Sequence, residues 1–327
     1  MIRITVIGMG LIGTSLAMAI RDAEAKNAPL GQTVITGFDK DRRALGDARG
    51  RLAIDREARS LADALHEAHL VVVAVPVQAV REVFREIAPL LPNGAVVTDV
   101  ASTKSQVMDW ARELLPTTVE FVGGHPMAGK EQSGPAGADP QLFKGAIYCL
   151  TPSQRARPQS IELVEAMVRQ IQAKIYYIDA AEHDAYVAGV SHLPFMLSTA
   201  LIDLVSSSPG WKEMSPLAAT GFRDISRLAS GDAEMHRDIC MTNQAALSRW
   251  LDGAARLLLD LRDQVEAGDS DRILEFFQRA HAAREEWLQS RPGLRPGEED
   301  FEDISRVGVT RPSLFGRLGG KPPQRKR

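Results

Sequence analysis

The stretch Gly123-Gly-His-Pro-Met-Ala-Gly-Lys-Glu-Gln-Ser-Gly134 sets one imidazole among four glycines, with a proline directly behind it. Imidazole exchanges protons near neutral pH, so His125 is suited to general acid–base work. The bland alternative is a turn histidine on a solvated loop. Four other places carry groups fit for chemistry. Gly8-Met-Gly-Leu-Ile-Gly13 has the spacing of a phosphate cradle. Asp99-Val-Ala-Ser-Thr-Lys104 collects Ser102, Thr103 and Lys104. Ser102 there is either a ligand contact or a helix N-cap. Ser191-His-Leu-Pro-Phe195 places His192 beside a proline, as a substrate ligand or as a core histidine satisfied by a backbone carbonyl. Arg223, within Thr220–Arg227, can clamp a carboxylate through two parallel N–H bonds. Its rival reading is a surface ion pair with Asp224 or Glu213.

These groups need elements to hold them. Ile2–Ile7 reads as a strand and Thr14–Ile20 as a helix, so the three glycines sit in a strand–turn–helix setting. Gly8 then makes the tight turn, Gly10 lets the backbone approach a pyrophosphate, and Gly13 lets the helix pack on the strand. Leu11 and Ile12, between the glycines, belong to the same dinucleotide-binding turn. A second strand, Thr33–Phe38, ends in Asp39. A carboxylate there accepts hydrogen bonds from ribose hydroxyls and repels a 2′-phosphate, which favours NAD. Lys40, Arg42 and Arg43 keep NADP open should Asp39 turn away, and Asp39 as N-cap of the next helix fits the same place. Leu70–Val75 is a continuous apolar run, as for a strand buried on both faces. Val75 and Pro76 at its end are assigned to the cofactor crevice.

Gly94–Thr98, Val119–Gly123 and Ala146–Leu150 are the next strands, the last closing the sheet, and His125 stands on a loop just past the second of them. Strands alternating with helices give an α/β class with a parallel, doubly wound sheet. After Thr151-Pro152 the pattern turns helical, with Lys174–Asp179 as a further short strand. Tyr186, Val190, Leu193, Leu197, Leu201 and Leu204 recur in steps of three and four, predicting one buried face on a helix kinked at Pro194. Two more amphipathic helices follow, and leftover apolar faces on such helices are commonly buried in a dimer. The expected division is 1–152 for a dinucleotide-binding domain, 153–290 for a helical substrate and dimerisation domain, and 291–327 for a disordered tail rich in Pro, Gly and charge.

Bulk properties narrow the classes. The chain has 327 residues, enough for about two domains. Its net charge of -3 gives no reason to expect nucleic acid. No long uninterrupted apolar run suggests a membrane span. The start lacks the features of a signal peptide. Cys149 and Cys240 have no metal-like spacing and read as reduced thiols in a cytoplasmic protein. No metal is expected.

Taken together, Gly8–Gly13, Asp99–Lys104, Gly124-His-Pro-Met-Ala-Gly129, Ser191-His-Leu-Pro194 and Gly221-Phe-Arg-Asp-Ile-Ser-Arg227 resemble the prephenate/arogenate dehydrogenases of tyrosine biosynthesis, in family order over residues 1–290. The resemblance implies a Rossmann-type sheet domain followed by an all-helical dimerisation domain, a homodimer, NAD as cofactor and a small-molecule substrate. It implies oxidative decarboxylation of prephenate or arogenate, with hydride passing to nicotinamide. It makes His125 the acceptor of the C4 hydroxyl proton, Ser102 a partner of that hydroxyl and Arg223 the holder of a substrate carboxylate. Ser191, His192, Lys104 and Glu131 fall near the substrate. Where many prephenate-using members have a histidine after Ser-His-Leu-Pro, this chain has Phe195, as some arogenate-preferring members have an apolar residue. The substrate is therefore left open between the two. A β-hydroxy-acid dehydrogenase on the same plan is the rival enzyme, and an NAD-sensing regulatory protein the rival non-enzyme.

Overall fold

The computed structural model describes residues 1–23, 29–130 and 132–290. Glu131 and the 291–327 tail, both singled out above, lie outside the described residues.

Among the described residues, eight strands form one sheet: β1 (Ile2–Ile7), β2 (Thr33–Phe38), β3 (Arg56–Glu57), β4 (Leu70–Val73), β5 (Val96–Asp99), β6 (Glu120–Pro126), β7 (Ile147–Pro152) and β8 (Lys174–Tyr177). Their order is β3-β2-β1-β4-β5-β6-β7-β8. Helices α1 (Leu11–Ala23), α2 (Arg42–Gly50), α3 (Leu61–Leu65), α4 (Val77–Ile87), α5 (Ser105–Leu114) and α6 (Pro158–Gln170) accompany it. Strand alternation explains the two cores. Leu70 and Val72 of β4 point into one apolar cluster with Ile4, Leu16, Ile20 and Met167. Val71 and Val73 point into the other, with Val80, Phe84, Val107 and Phe121. A strand buried on both faces needs apolar residues at every position, as β4 has.

Three expectations are corrected. β6 pairs antiparallel with β7, register His125↔Cys149, so the sheet is not wholly parallel. β7 is not the last strand, because β8 pairs parallel beyond it. The sheet unit therefore runs past 152, since α6 supplies Val164, Met167 and Val168 to the sheet's own core. The two-residue edge strand β3 had no pattern long enough to read.

Beyond the sheet come α7 (Ala180–Val187), a π-helical turn (Ala188–His192), α8 (Leu193–Ser206), α9 (Trp211–Met214), α10 (Thr220–Ser226), α11 (Ala233–Thr242), α12 (Gln244–Glu266) and α13 (Ser270–Ser290). Pro194 does not kink a continuous α-helix. It sits in the first turn of α8, where the missing N–H is tolerated, and the π turn takes up the change. The face predicted to be buried is open in the single chain: Val190 is 74% exposed and Leu204 75%. The run Ala180–Ser206 also reaches the length and apolarity of a membrane span. In this fold, however, it carries His183, Asp184 and His192, all buried.

Candidate active site

Sequence-local sterics build the glycine turn. Gly8 has φ +98°, and a Cβ there would lie 2.4 Å from the Ala74 carbonyl oxygen. A Cβ on Gly13 would lie 2.0 Å from the Gly8 oxygen, so α1 can seat against β1 only without a side chain at that point. Gly10 differs, with open space where its Cβ would be. That bare backbone at the head of α1 is where a pyrophosphate fits, on N–H groups and the positive end of the helix. Leu11 and Ile12 begin α1, and Val75 and Pro76 leave β4 on the same edge.

Asp39 does not cap α2; Asp41 does, accepting from Arg43 N–H at 2.9 Å. Instead the Asp39 carboxylate accepts the Met9 N–H at 2.6 Å and the Asp41 N–H at 2.8 Å. This ties the end of β2 to the glycine turn. Lys40 faces Glu86 at 3.7 Å, and Arg42 donates to the Ala58 carbonyl at 3.0 Å. An anionic Asp39 held in place, with two of the nearby cations engaged elsewhere, suits a ribose diol better than a phosphate.

His125 lies within β6 rather than on a loop past it. The glycines before it are there for close packing. A Cβ on Gly123 would meet Met108 Sδ at 2.9 Å, and one on Gly124 would meet the Asp99 carbonyl oxygen at 2.6 Å and the Tyr148 ring at 2.9 Å. Gly124 N–H donates to Asp99 Oδ1 at 3.0 Å. Because β6 runs parallel to β5, this end of β6 stands at the carboxyl edge of the parallel strands, the edge that also bears the glycine turn. Open α/β sheets bind ligands there.

The imidazole is 6% exposed. Its Nδ1 lies 2.8 Å from His183 Nε2, and His183 Nδ1 lies 2.9 Å from Asp184 Oδ1. Asp184 also accepts the N–H groups of Lys104 at 2.7 Å and Ser105 at 2.8 Å, at the head of α5. Burial alone would raise the Asp184 pKa, but hydrogen bonds from His183, Ser105 and Lys104 outweigh it and hold the carboxyl below its usual value. Burial pushes His125 well below 6.5, and nearby His183, Lys104 and His192 push the same way. His125 is thus a neutral base enclosed by protein.

His192 is 1% exposed. Its Nδ1 lies 3.2 Å from Asn243 Nδ2, whose amide also donates to the Asp184 carbonyl at 2.8 Å. An amide nitrogen donates, so His192 Nδ1 accepts and its Nε2 carries the proton. Among the described residues that Nε2 is buried without a partner. The core reading of this histidine, with a carbonyl satisfying it, is therefore incomplete, and a donor is left for a ligand. Ser191 and Ser102 are half-buried. Phe195 stacks on His236, with centroids 4.2 Å apart and planes at 3°.

Two expected ligands pair with other side chains in the single chain. Lys104 is fully buried, and its ammonium is paired with Asp99, so it stands behind the site rather than in it. Arg223 is 75% exposed and meets Asp224 at 3.2 Å, one of the surface pairs foreseen as its alternative. Sequence reasoning missed His183, Asp184 and Asn243. Their only signal was an adjacent His-Asp pair near the start of a helix.

Comparison with known proteins agrees in kind. A family model described as prephenate dehydrogenase, nucleotide-binding domain, matches residues 25–177. A second, prephenate dehydrogenase, dimerization domain, matches residues 179–279. A prephenate dehydrogenase of Bacillus subtilis is 34% identical over 297 residues, spanning 90% of this chain and 78% of that one. A solved arogenate dehydrogenase of Synechocystis is 30% identical, with TM-score 0.72 over 88% of this chain and all of that one. A prephenate dehydrogenase of Aquifex aeolicus, solved with hydroxyphenyl propionate and NAD+, is 26% identical, with TM-score 0.80 over 88% and 98% of the two chains.

Proposed function

The chain belongs to the prephenate dehydrogenase family, and on that premise we propose that it carries out the NAD-dependent oxidative decarboxylation of prephenate, arogenate or both. The two share a ring carboxylate and a C4 carbinol and differ in the side chain. NAD supplies the hydride acceptor. The glycine turn, the open backbone at Gly10 and the Asp39 carboxylate would hold it.

The observation that carries the reading is His125: a buried imidazole, neutral at working pH, on the sheet edge that bears the glycine turn. It takes the proton as the C4 O–H bond breaks. Ser102 orients that hydroxyl. The resulting dienone is a vinylogous β-keto acid, and loss of CO2 makes the ring aromatic, so the second step asks little of the protein. His192 offers its Nε2–H to a substrate oxygen, with Ser191 beside it. Arg223 is drawn to a substrate carboxylate, because an exposed ion pair such as that with Asp224 is weak and easily exchanged. Phe195 gives the substrate side chain an apolar wall in place of a hydrogen-bond donor. The enzyme is proposed to work in the cytoplasm as a homodimer, and the dimerization-domain match supports the homodimer.

His125→Asn tests the assignment. Turnover should fall by about 100-fold or more, with NAD affinity unchanged by fluorescence titration. Turnover at the wild-type rate would remove His125 as the base. Steady-state assays with prephenate and with arogenate, each with NAD and NADP, identify the substrate.

A further inference from the structure

We propose that His183 and Asp184 are positioning residues that lock His125 into the tautomer with its proton on Nδ1, leaving Nε2 as the free base atom. The inference rests on the reading of His125 as the base and adds how that base is prepared.

The chain of contacts admits few proton arrangements. At 2.8 Å, two imidazole nitrogens must share one proton between them. Two bare lone pairs or two N–H groups at that distance would repel. The direction of the shared bond is set at the other end of His183. Asp184 accepts backbone N–H groups from Lys104 and Ser105, and those contacts at the head of α5 suit an anion. An ionised carboxylate only accepts, so His183 Nδ1 donates to it across 2.9 Å. With its ring proton spent on Asp184, His183 presents a lone pair at Nε2 and accepts from His125 Nδ1–H. His125, itself neutral, is left with a lone pair on Nε2, the ring nitrogen that the contact with His183 does not engage.

The opposite arrangement shows what is at stake. Were His183 to donate through Nε2, His125 would accept at Nδ1 and carry its own proton on Nε2. It would then have no lone pair to offer the carbinol. The same geometry also serves the product of proton transfer. When the C4 O–H bond breaks and an N–H bond forms at His125 Nε2, the positive charge on the ring is shared through Nδ1–H toward His183 and the Asp184 anion. The carboxylate itself is fixed by two backbone donors and does not need to move.

The tautomer can be observed without substrate or cofactor. In protein labelled with 15N-histidine, imidazole nitrogen shifts distinguish a protonated from a bare nitrogen. The His125 ring is assigned by its loss in His125→Asn. Wild type should show Nδ1 protonated and Nε2 bare at neutral pH. Asp184→Asn replaces an acceptor by an amide that can donate to His183 Nδ1, so the His125 pattern should reverse. In that variant kcat should drop at least about tenfold with KM little changed, since the base is mis-set rather than the substrate lost. Asp184→Glu should restore part of it. A wild-type His125 protonated on Nε2 would overturn the proposal, and the wild-type spectrum decides this even if Asp184→Asn does not fold. So would an Asp184→Asn protein that folds and keeps both tautomer and kcat. Failure of the base reading is separate: it would appear as turnover retained in His125→Asn, whatever the tautomer.

Discussion

His192 is nearly enclosed, and enclosure penalises the charged ring, lowering its pKa from 6.5 to about 4. Burial acts in the same direction on His125 and on half-buried His236. Each of these rings therefore binds a proton more readily in the unfolded chain than in the folded one. Stability rises with pH where the unfolded state holds more protons. Their contribution is complete above about 6.5 and is lost as pH falls from there toward 4, with His192 alone accounting for about 3 kcal/mol. Most carboxylates are still ionised over the upper part of that window, so the loss there belongs to the histidines. Thermal unfolding midpoints should fall between pH 6.5 and 4.5, and His192→Asn should flatten the slope. A wild-type midpoint constant over that range would contradict the burial of these rings. At this scale the sequence revealed the imidazoles whose neighbours are unusual, His125 with its glycines and His192 with its proline. It did not reveal His183 or Asp184, because a single turn of helix places them by three-dimensional packing and no local pattern marks it.

Glycines in one chain can serve opposite ends, and two elements here separate those uses. Gly124 lies inside β6, where a methyl group would lie 2.6 Å from a backbone oxygen of the β5 exit and 2.9 Å from the buried Tyr148 ring. Neither neighbour can move cheaply, so Gly124→Ala should cost about 1–3 kcal/mol by overpacking and shift His125 enough to reduce kcat. Gly10→Ala meets nothing within 4 Å. It should leave the unfolding midpoint within about 1 °C of wild type while weakening NAD binding, because the added methyl stands where the backbone must approach the cofactor. Calorimetry and cofactor titration of the two variants check the contrast; equal losses of stability would refute it. This explains why β6 runs three residues past the end that its composition suggests. Gly-Gly-His-Pro carries the composition of a loop, whereas the glycines thin the strand so that it can press against its neighbours. The strand–glycine–helix unit at the N-terminus was legible because spacing and setting both pointed to it. The antiparallel turn of β7 was not, since strand direction leaves no trace in composition.

Across the whole molecule, the apolar periodicity of the C-terminal helices needs a second surface. Leu204 of α8, Leu258 of α12, and Leu274 and Phe277 of α13 are between 56% and 75% exposed in the single chain. Scattered apolar residues on a surface need no explanation, but large ones repeated along three helices mark an interface. The sequence pattern told which faces must be covered and was silent on whether the cover comes from the same chain, so a face read as buried in the protomer is open there. A closed two-fold dimer is the simplest assembly that covers a self-complementary face without leaving another copy of it free. The chain should therefore sediment as a dimer at micromolar concentration. Leu258→Glu and Phe277→Glu, placing charge on that face, should shift it toward monomer while far-ultraviolet circular dichroism holds its helical signal. The sheet core, with β4 buried on both sides, does not depend on these helices for its apolar cover, so the monomeric variants should still bind NAD. A wild-type chain that sediments as a monomer at that concentration would leave the exposed leucines and phenylalanine without a function in assembly.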